Sequence, residues 1–179
     1  MNPSKKKILE NAFNLFLTES YSSVSMQKIQ NASGVSRGAI YHHFKSKEEI
    51  FEEVVNEYLM PAFSSYSMIQ EDDKSSLQNM IYASIKCRQS HINLLKEVTS
   101  FKLTDFYFFK FIFQASEHCK DFTEQVNVLS EKEFNGWRNI IQLAMRTGEI
   151  RSDIELDYVA QSFMTIPLGL GIFSAFSNY

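Results

Sequence analysis

A chain of 179 residues with 44% hydrophobic content, six glycines and three prolines can bury a sizeable core, which favours a helical globular protein over disorder. The net charge of −3 disfavours nucleic acid at first sight, but residues 1–47 hold seven Lys or Arg against Glu10 and Glu19, a balance of +5 that leaves −8 for the rest. Two cysteines, Cys87 and Cys119, lack zinc-like spacing and fit a reduced cytoplasm, and no signal peptide is visible.

The spacing of Ile8, Ala12, Leu15 and Phe16, widened by Leu9 and Phe13, predicts a first helix over 5–19. Lys5, Lys6 and Lys7 before it read either as a flexible arm reaching phosphate or as a solvated tail. Ser25 is placed to cap a short helix over 26–33, where Met26, Ile29 and Ala32 repeat on one face. Gly34 stops that helix, because a left-handed terminal residue costs glycine nothing sterically. Ser36 caps the next, in which Ile40 and Phe44 face inward and turn Arg37, Tyr41 and His42 toward solvent. Two short capped helices joined by a glycine turn have the form of a helix-turn-helix.

Ser46 and Glu49 fit a capping box, one bonding forward and the other reaching back. The long helix behind them carries Ile50, Phe51, Val54, Val55 and Tyr58 until Pro61, which lacks an amide hydrogen and must kink or stop it. Residues 71–76 form a polar break, with a serine capping a helix over 77–101 whose apolar side is Ile81, Ile85, Ile92 and Leu95. A break at 102–105 precedes an aromatic helix over 106–118, a pattern for burial or for pairing with another surface. Asp121 is placed to cap a helix over 121–148 that ends at Gly148. A last helix runs from about 156 to the end, broken or kinked at Pro167 and Gly169. Its apolar run over 163–176 is shorter than the roughly twenty residues a bilayer needs, so a soluble protein is expected.

The string Ser25, Ile29, Gly34-Val35-Ser36, Gly38, Tyr41, Phe44 and Lys47-Glu48 closely resembles the DNA-binding domain of the TetR family of bacterial regulators. Gln30, Ser33 and Ser20 depart from its usual alanines and glycine. A looser likeness runs from Trp137 through Gly148-Glu149-Ile150 to Asp157. The resemblance implies an all-α protein of two parts. The first is an N-terminal three-helix DNA-binding domain over 1–47; the second is a helical effector-binding and dimerisation domain over 48–179. It further implies a cytoplasmic, ligand-responsive regulator, most often a repressor, acting as a homodimer on a palindromic operator in double-stranded DNA. Helices over 121–148 and 155–178 would form a four-helix interface with the second copy. Family members usually carry one more helix after the last one here. No cofactor, metal or membrane partner is expected, and the effector is not identified.

Recognition needs phosphate contacts that position and base contacts that specify. Arg37 has the planar fork that grips guanine O6 and N7, and Ala39 can touch a thymine methyl. By resemblance, Tyr41, His43 and Lys47 fall at phosphate-contacting positions and His42 at a groove-facing one. Ser25 offers its helix N-terminus to a phosphate, Gln27 is exposed beside it, and Ser36 joins this set as the cap of the reading helix. Metal binding by His42 and His43 is disfavoured, since adjacent helical residues point about 100° apart. In the body, Phe106, Phe109, Phe113, Phe134 and Trp137 are candidate pocket walls, with Arg88 and His91 as anchors for an anion; ordinary core packing explains the same aromatic stripe. No nucleophile elbow, phosphate-binding glycine loop or zinc-hydrolase motif is present, so no enzyme is expected. The rival reading keeps the fold as a small-molecule carrier or protein-interaction module that no longer reads DNA. The intact Ser25, Arg37, Tyr41 and Lys47 set argues against it.

Overall fold

Asn2 opens the first helix: its side-chain oxygen accepts from the Ser4 amide at 2.9 Å, and Pro3 takes the first helical position, where a missing N–H costs nothing. The computed structural model describes residues 2–177, and among them every regular element is helical. Helix α1 (Pro3–Thr18) therefore starts two residues before the expected 5–19. Lys5, Lys6 and Lys7 lie in its first turns rather than in a flexible arm, with Lys5 paired to Glu53 at 2.5 Å and Lys6 to Glu10 at 3.7 Å.

Helices α2 (Met26–Ser33), α3 (Arg37–His43) and α4 (Lys47–Val54) follow as the spacing predicts. Gly34 sits at φ 62°, the left-handed turn that separates α2 from α3. One face differs. Ala32 is exposed, and the buried residues of α2 are Ile29 and Ser33, whose hydroxyl donates to the Gln30 carbonyl at 3.1 Å. The inner face of α2 therefore follows a spacing of four, from Ile29 to Ser33, where a spacing of three was expected. Beyond α4 the chain widens into a π-type stretch (Val55–Leu59) and then tightens into a 3-10 turn (Met60–Phe63). Pro61 has no amide to give the Glu57 carbonyl, so the α-ladder cannot pass, and the expected bend takes the form of a change of pitch.

Next come α5 (Ser65–Met68), a tight turn over Glu71–Lys74, α6 (Leu77–Val98), α7 (Asp105–His118), α8 (Phe122–Thr147) and α9 (Leu156–Phe176). Ser76 caps α6, accepting from the Asn79 amide at 3.1 Å. Of the apolar side expected for α6, Leu95 is buried and Ile81 packs against the core, whereas Ile85 and Ile92 are exposed and Leu77 and Met80 are buried in addition. Asp121 does not adopt the extended backbone of a capping residue. It turns at φ 61°, a conformation its short polar side chain tolerates. Gly148 at φ 76° ends α8 as expected. No break interrupts α9 at Pro167 or Gly169; residues 178 and 179, expected to extend it, lie outside the described residues. With 21 residues and an 18-residue window of mean hydropathy 1.5, α9 is long and apolar enough to cross a membrane by length and composition, against the expectation. The turn from Leu156 to the apolar run adds only one charge, Asp157, and so lengthens the run.

The chain divides into two compact units, Met1–Pro61 with Leu94–Thr123, and Ala62–Asn93 with Glu124–Tyr179. In the first, α1 packs against α2, α3, α4 and α7. Its core is aromatic, with Phe16 edge-on to Phe51 at 4.7 Å and Phe13 edge-on to Phe111 at 5.5 Å. In the second, Trp137, Ile140, Ile141, Ala144 and Ala160 pack with Ile69, Leu77 and Met80. The turn after Gly148 closes this unit. The Glu149 carboxylate accepts from the Leu77 and Gln78 amides at 3.0 and 2.9 Å and so caps α6 from a distance of about seventy residues in sequence.

Candidate nucleic-acid interface

Three serines start the three motif helices by the same device. Ser25 accepts from the Lys28 amide at 3.2 Å, Ser36 from the Ala39 amide at 3.2 Å, and Ser46 from the Glu49 amide at 3.3 Å. The Glu49 carboxylate reaches back to the Lys45 amide at 2.7 Å, one residue further than a standard capping box. These caps orient α3 so that Ile40 and Phe44 enter the core. Arg37, Tyr41 and His42 are then exposed on its outer side, with Ala39 and His43 beside them. The Arg37 guanidinium lies 5.8 Å from the Tyr41 ring centroid, within cation–π range. His42 and His43 meet edge to face at 5.1 Å.

Ser25 and Gln27 stand at the start of α2, where the Gln27 amide donates to Asn31 at 2.9 Å. Lys47, at the start of α4, donates to the Tyr21 carbonyl at 3.0 Å and lies 3.9 Å from the centroid of the Tyr21 ring. Lys28 pairs with Glu19 at 2.7 Å and holds that carboxyl below its usual range. Sequence reasoning gave one member of this surface a different setting, an arm or tail before the helix, and missed another. The Lys7 ammonium lies 3.7 Å from where a Gly34 Cβ would stand, which brings a cation to the turn of the motif. Recognising Asn2-Pro3 as a helix start would have put Lys7 in phase with the turn. Tyr21 is the other; it lies in a short turn (Tyr21–Ser23) that has no periodicity to read.

The body residues do not gather in one unit. Phe106, Phe109 and Phe113 belong to the first, where Phe106 is 52% and Phe113 65% exposed; Arg88, His91, Phe134 and Trp137 belong to the second. In the second, Trp137 is 3% exposed and stacks on Phe163 at 4.6 Å and 8°. Glu133, one turn before Trp137, went unnoticed in the sequence, although a carboxylate four residues from a core tryptophan is the available sign. Burial lifts its carboxyl above the usual range, Ser65 donates to it at 3.3 Å, and the Trp137 N–H faces it outside hydrogen-bond geometry. A groove of about 430 Å³ in the same unit is lined by Tyr66, Glu131, Lys132, Asn135, Gly136 and Asn139, none of them among the candidate walls. Among the described residues no group of three His, Cys, Asp or Glu gathers to hold a metal.

Residues 8–54 match the family model described as bacterial regulatory proteins, tetR family. Over 161 residues the chain is 26% identical to the HTH-type transcriptional repressor KstR2 of Mycolicibacterium smegmatis, spanning 87% of this chain and 71% of that protein. It is 24% identical over 183 residues to the HTH-type transcriptional regulator YerO of Bacillus subtilis, spanning 99% of this chain and 59% of that protein. To the HTH-type transcriptional regulator AcrR of Shigella flexneri it is 45% identical over 51 residues, 28% of this chain and 24% of that one. The crystal structure of the TetR family regulator PfmR from Thermus thermophilus superposes with a TM-score of 0.62 at 21% identity, covering 93% of this chain and 83% of that one, which establishes the shared fold. The capped α2–Gly34–α3 geometry, the family match and these relatives agree: residues 8–54 form a DNA-binding domain of the TetR family type, and the chain is a DNA-binding transcriptional regulator that shares the fold of that family.

Proposed function

We propose that the chain is a ligand-responsive repressor that binds a palindromic operator as a homodimer in the cytoplasm. The observation that carries this reading is the outer side of α3, where Arg37, Tyr41 and His42 stand exposed on a helix that, like α2 and α4, starts at a serine cap. Arg37 reads a guanine edge and Ala39 a thymine methyl. Ser25, Gln27, Tyr41, His43 and Lys47 hold phosphates around them, Ser36 fixes the start of the reading helix, and His42 faces the groove. A two-fold axis would set two such helices about 34–36 Å apart, in successive major grooves.

The exposed apolar side chains of α8 and α9, among them Leu143, Ile166, Leu170 and Phe173, support self-association through these helices, because a second copy would remove them from water. The effector, in this reading, enters beside Phe134 and Trp137, with Glu133, Arg88 and His91 as the polar groups of the same unit. An effector that prefers a wider spacing of the reading helices shifts the population and releases DNA, with coupling of about 1–3 kcal/mol. The test is selection of duplexes from a random pool at two salt concentrations, with Arg37→Ala alongside. A palindrome is expected, weakened by salt, with about 1–3 kcal/mol of discrimination removed at one base pair in the variant. No enrichment at either salt, or a monomer by solution sizing at micromolar concentration, overturns the reading.

A further inference from the structure

Lys110, Gln114 and His118 recur every four residues along α7 and so share one face. The Lys110 ammonium donates to the Thr18 carbonyl at 2.9 Å and the Leu17 carbonyl at 3.3 Å, and the buried Gln114 amide donates to the Phe16 carbonyl at 2.9 Å. These carbonyls end α1, where no intrahelical amide remains to meet them. One turn further along the same face, the His118 ring stacks on Tyr21 at 4.1 Å and 22°. The Lys47 ammonium lies 3.9 Å from the same ring centroid; two groups this close to one ring must take opposite faces. The Tyr21 hydroxyl donates to Glu48 at 3.0 Å, and the Phe51 ring closes one edge at 4.8 Å, so the half-buried ring is held at its faces, its hydroxyl and one edge.

We propose that Tyr21 is a positioning residue for DNA binding: clamped by His118 of α7, it holds the Lys47 ammonium at the start of α4 ready for a backbone phosphate. This rests on the phosphate role given to Lys47 above. An ammonium has three N–H donors, and the Tyr21 carbonyl takes one of them. A lysine already held by a carbonyl and a ring face has given up its rotamer freedom before DNA arrives, so less is lost on binding. The face of α7 that caps α1 thereby also sets the lysine that meets DNA.

The experiment measures the binding constant of the full chain for a random-sequence duplex across a salt series. Removing the neutralisation of one phosphate lowers the slope of log K against log salt by about 0.9. Lys47→Met and Tyr21→Leu are expected to lower the slope equally, with no further fall in the double variant. His118→Ala is expected to follow them, while Tyr21→Phe and His118→Phe, which keep the ring stack, retain the wild-type slope. A Tyr21 of merely structural importance would shift unfolding and leave the slope alone. The exposed position 118 keeps the comparison of alanine with phenylalanine usable even where Tyr21→Leu fails to fold. A slope lowered by Lys47→Met but unchanged by Tyr21→Leu and His118→Ala overturns the proposal alone. A slope unchanged by Lys47→Met overturns the phosphate role of Lys47 together with it.

Discussion

Gly136 lies inside α8, where glycine costs about 1 kcal/mol relative to alanine, so replacing it should stabilise the helix. The surroundings reverse the sign. A Cβ at this position would stand 2.1 Å from Cε2, 2.3 Å from Cζ and 2.5 Å from Cδ2 of Tyr66. Carbon atoms need about 3.5 Å, so the ring must retreat by more than an ångström. It is not free to do so cheaply. The Lys74 ammonium lies 4.6 Å from its centroid, and the neighbouring Ser65 is tied to Glu133. Overpacking of this kind costs about 1–3 kcal/mol. Set against the propensity gain, Gly136→Ala is expected to lower stability by about 1 kcal/mol. In a Tyr66→Ala background the obstacle is gone, and the same change should raise stability by about 1 kcal/mol, a coupling of about 2 kcal/mol between the two positions. Urea unfolding of the four proteins measures this, provided the m-value stays constant. Equal stabilisation by Gly136→Ala in both backgrounds would falsify the packing argument.

Glu149→Ala removes the partner of two α6 amides and should cost about 1–3 kcal/mol in thermal unfolding, with Glu149→Gln retaining part of it; an unchanged melting temperature means water replaces the carboxylate without loss. Burial raises the Glu133 carboxyl, so the folded chain keeps a proton that the unfolded chain releases. Stability is then highest below the ordinary value of 4.5 and falls as pH rises through the lifted one. Glu133→Gln lacks that fall and should melt above wild type at about pH 8, the gap closing toward acid; a gap that does not move with pH means burial costs this group nothing. The Cys119 thiol is pushed up to about 12 by burial, with the charge of Glu52 adding to it. In Cys87→Ser protein, alkylation at about pH 8 should therefore be slow until urea exposes Cys119, and rapid labelling of the native chain would show an open thiol.

The motif helices were legible in the sequence because their signals are local: Ser25, Ser36 and Ser46 each announce a start, and Gly34 a stop, within four residues of what they bond. The inner face of α2 misled, since Met26, Ile29 and Ala32 are apolar while Ser33 is not. Ser33 is buried because its hydroxyl finds the Gln30 carbonyl, a bond that hydropathy does not register. Long-range polar contacts were out of reach for a different reason. Nothing near Glu149 in the sequence indicates that its carboxylate caps α6, and nothing near Gln114 indicates that its amide meets Phe16. In α6, an aliphatic stripe suggested burial for Ile85 and Ile92, yet periodicity identifies a face and not what covers it. The same limit applies to α9, whose apolar length fits a partner helix and a bilayer alike, with Phe176 left 84% exposed.

The reading head is not self-sufficient in its packing. Three short helices and α1 bury Phe13 and Phe16, but the far side of that aromatic cluster is closed by Phe111 from α7, and α7 also satisfies the last carbonyls of α1 through Lys110 and Gln114. A segment of about fifty residues buries too little surface to be more than marginally stable alone, so the cover that α7 supplies adds to its stability. Any displacement along α7 must break hydrogen bonds to α1 and disturb the Tyr21 stack together, because all these contacts lie on one face four residues apart. The contacts that stabilise the head are thus also the ones through which Lys47, held on the Tyr21 ring, can be moved.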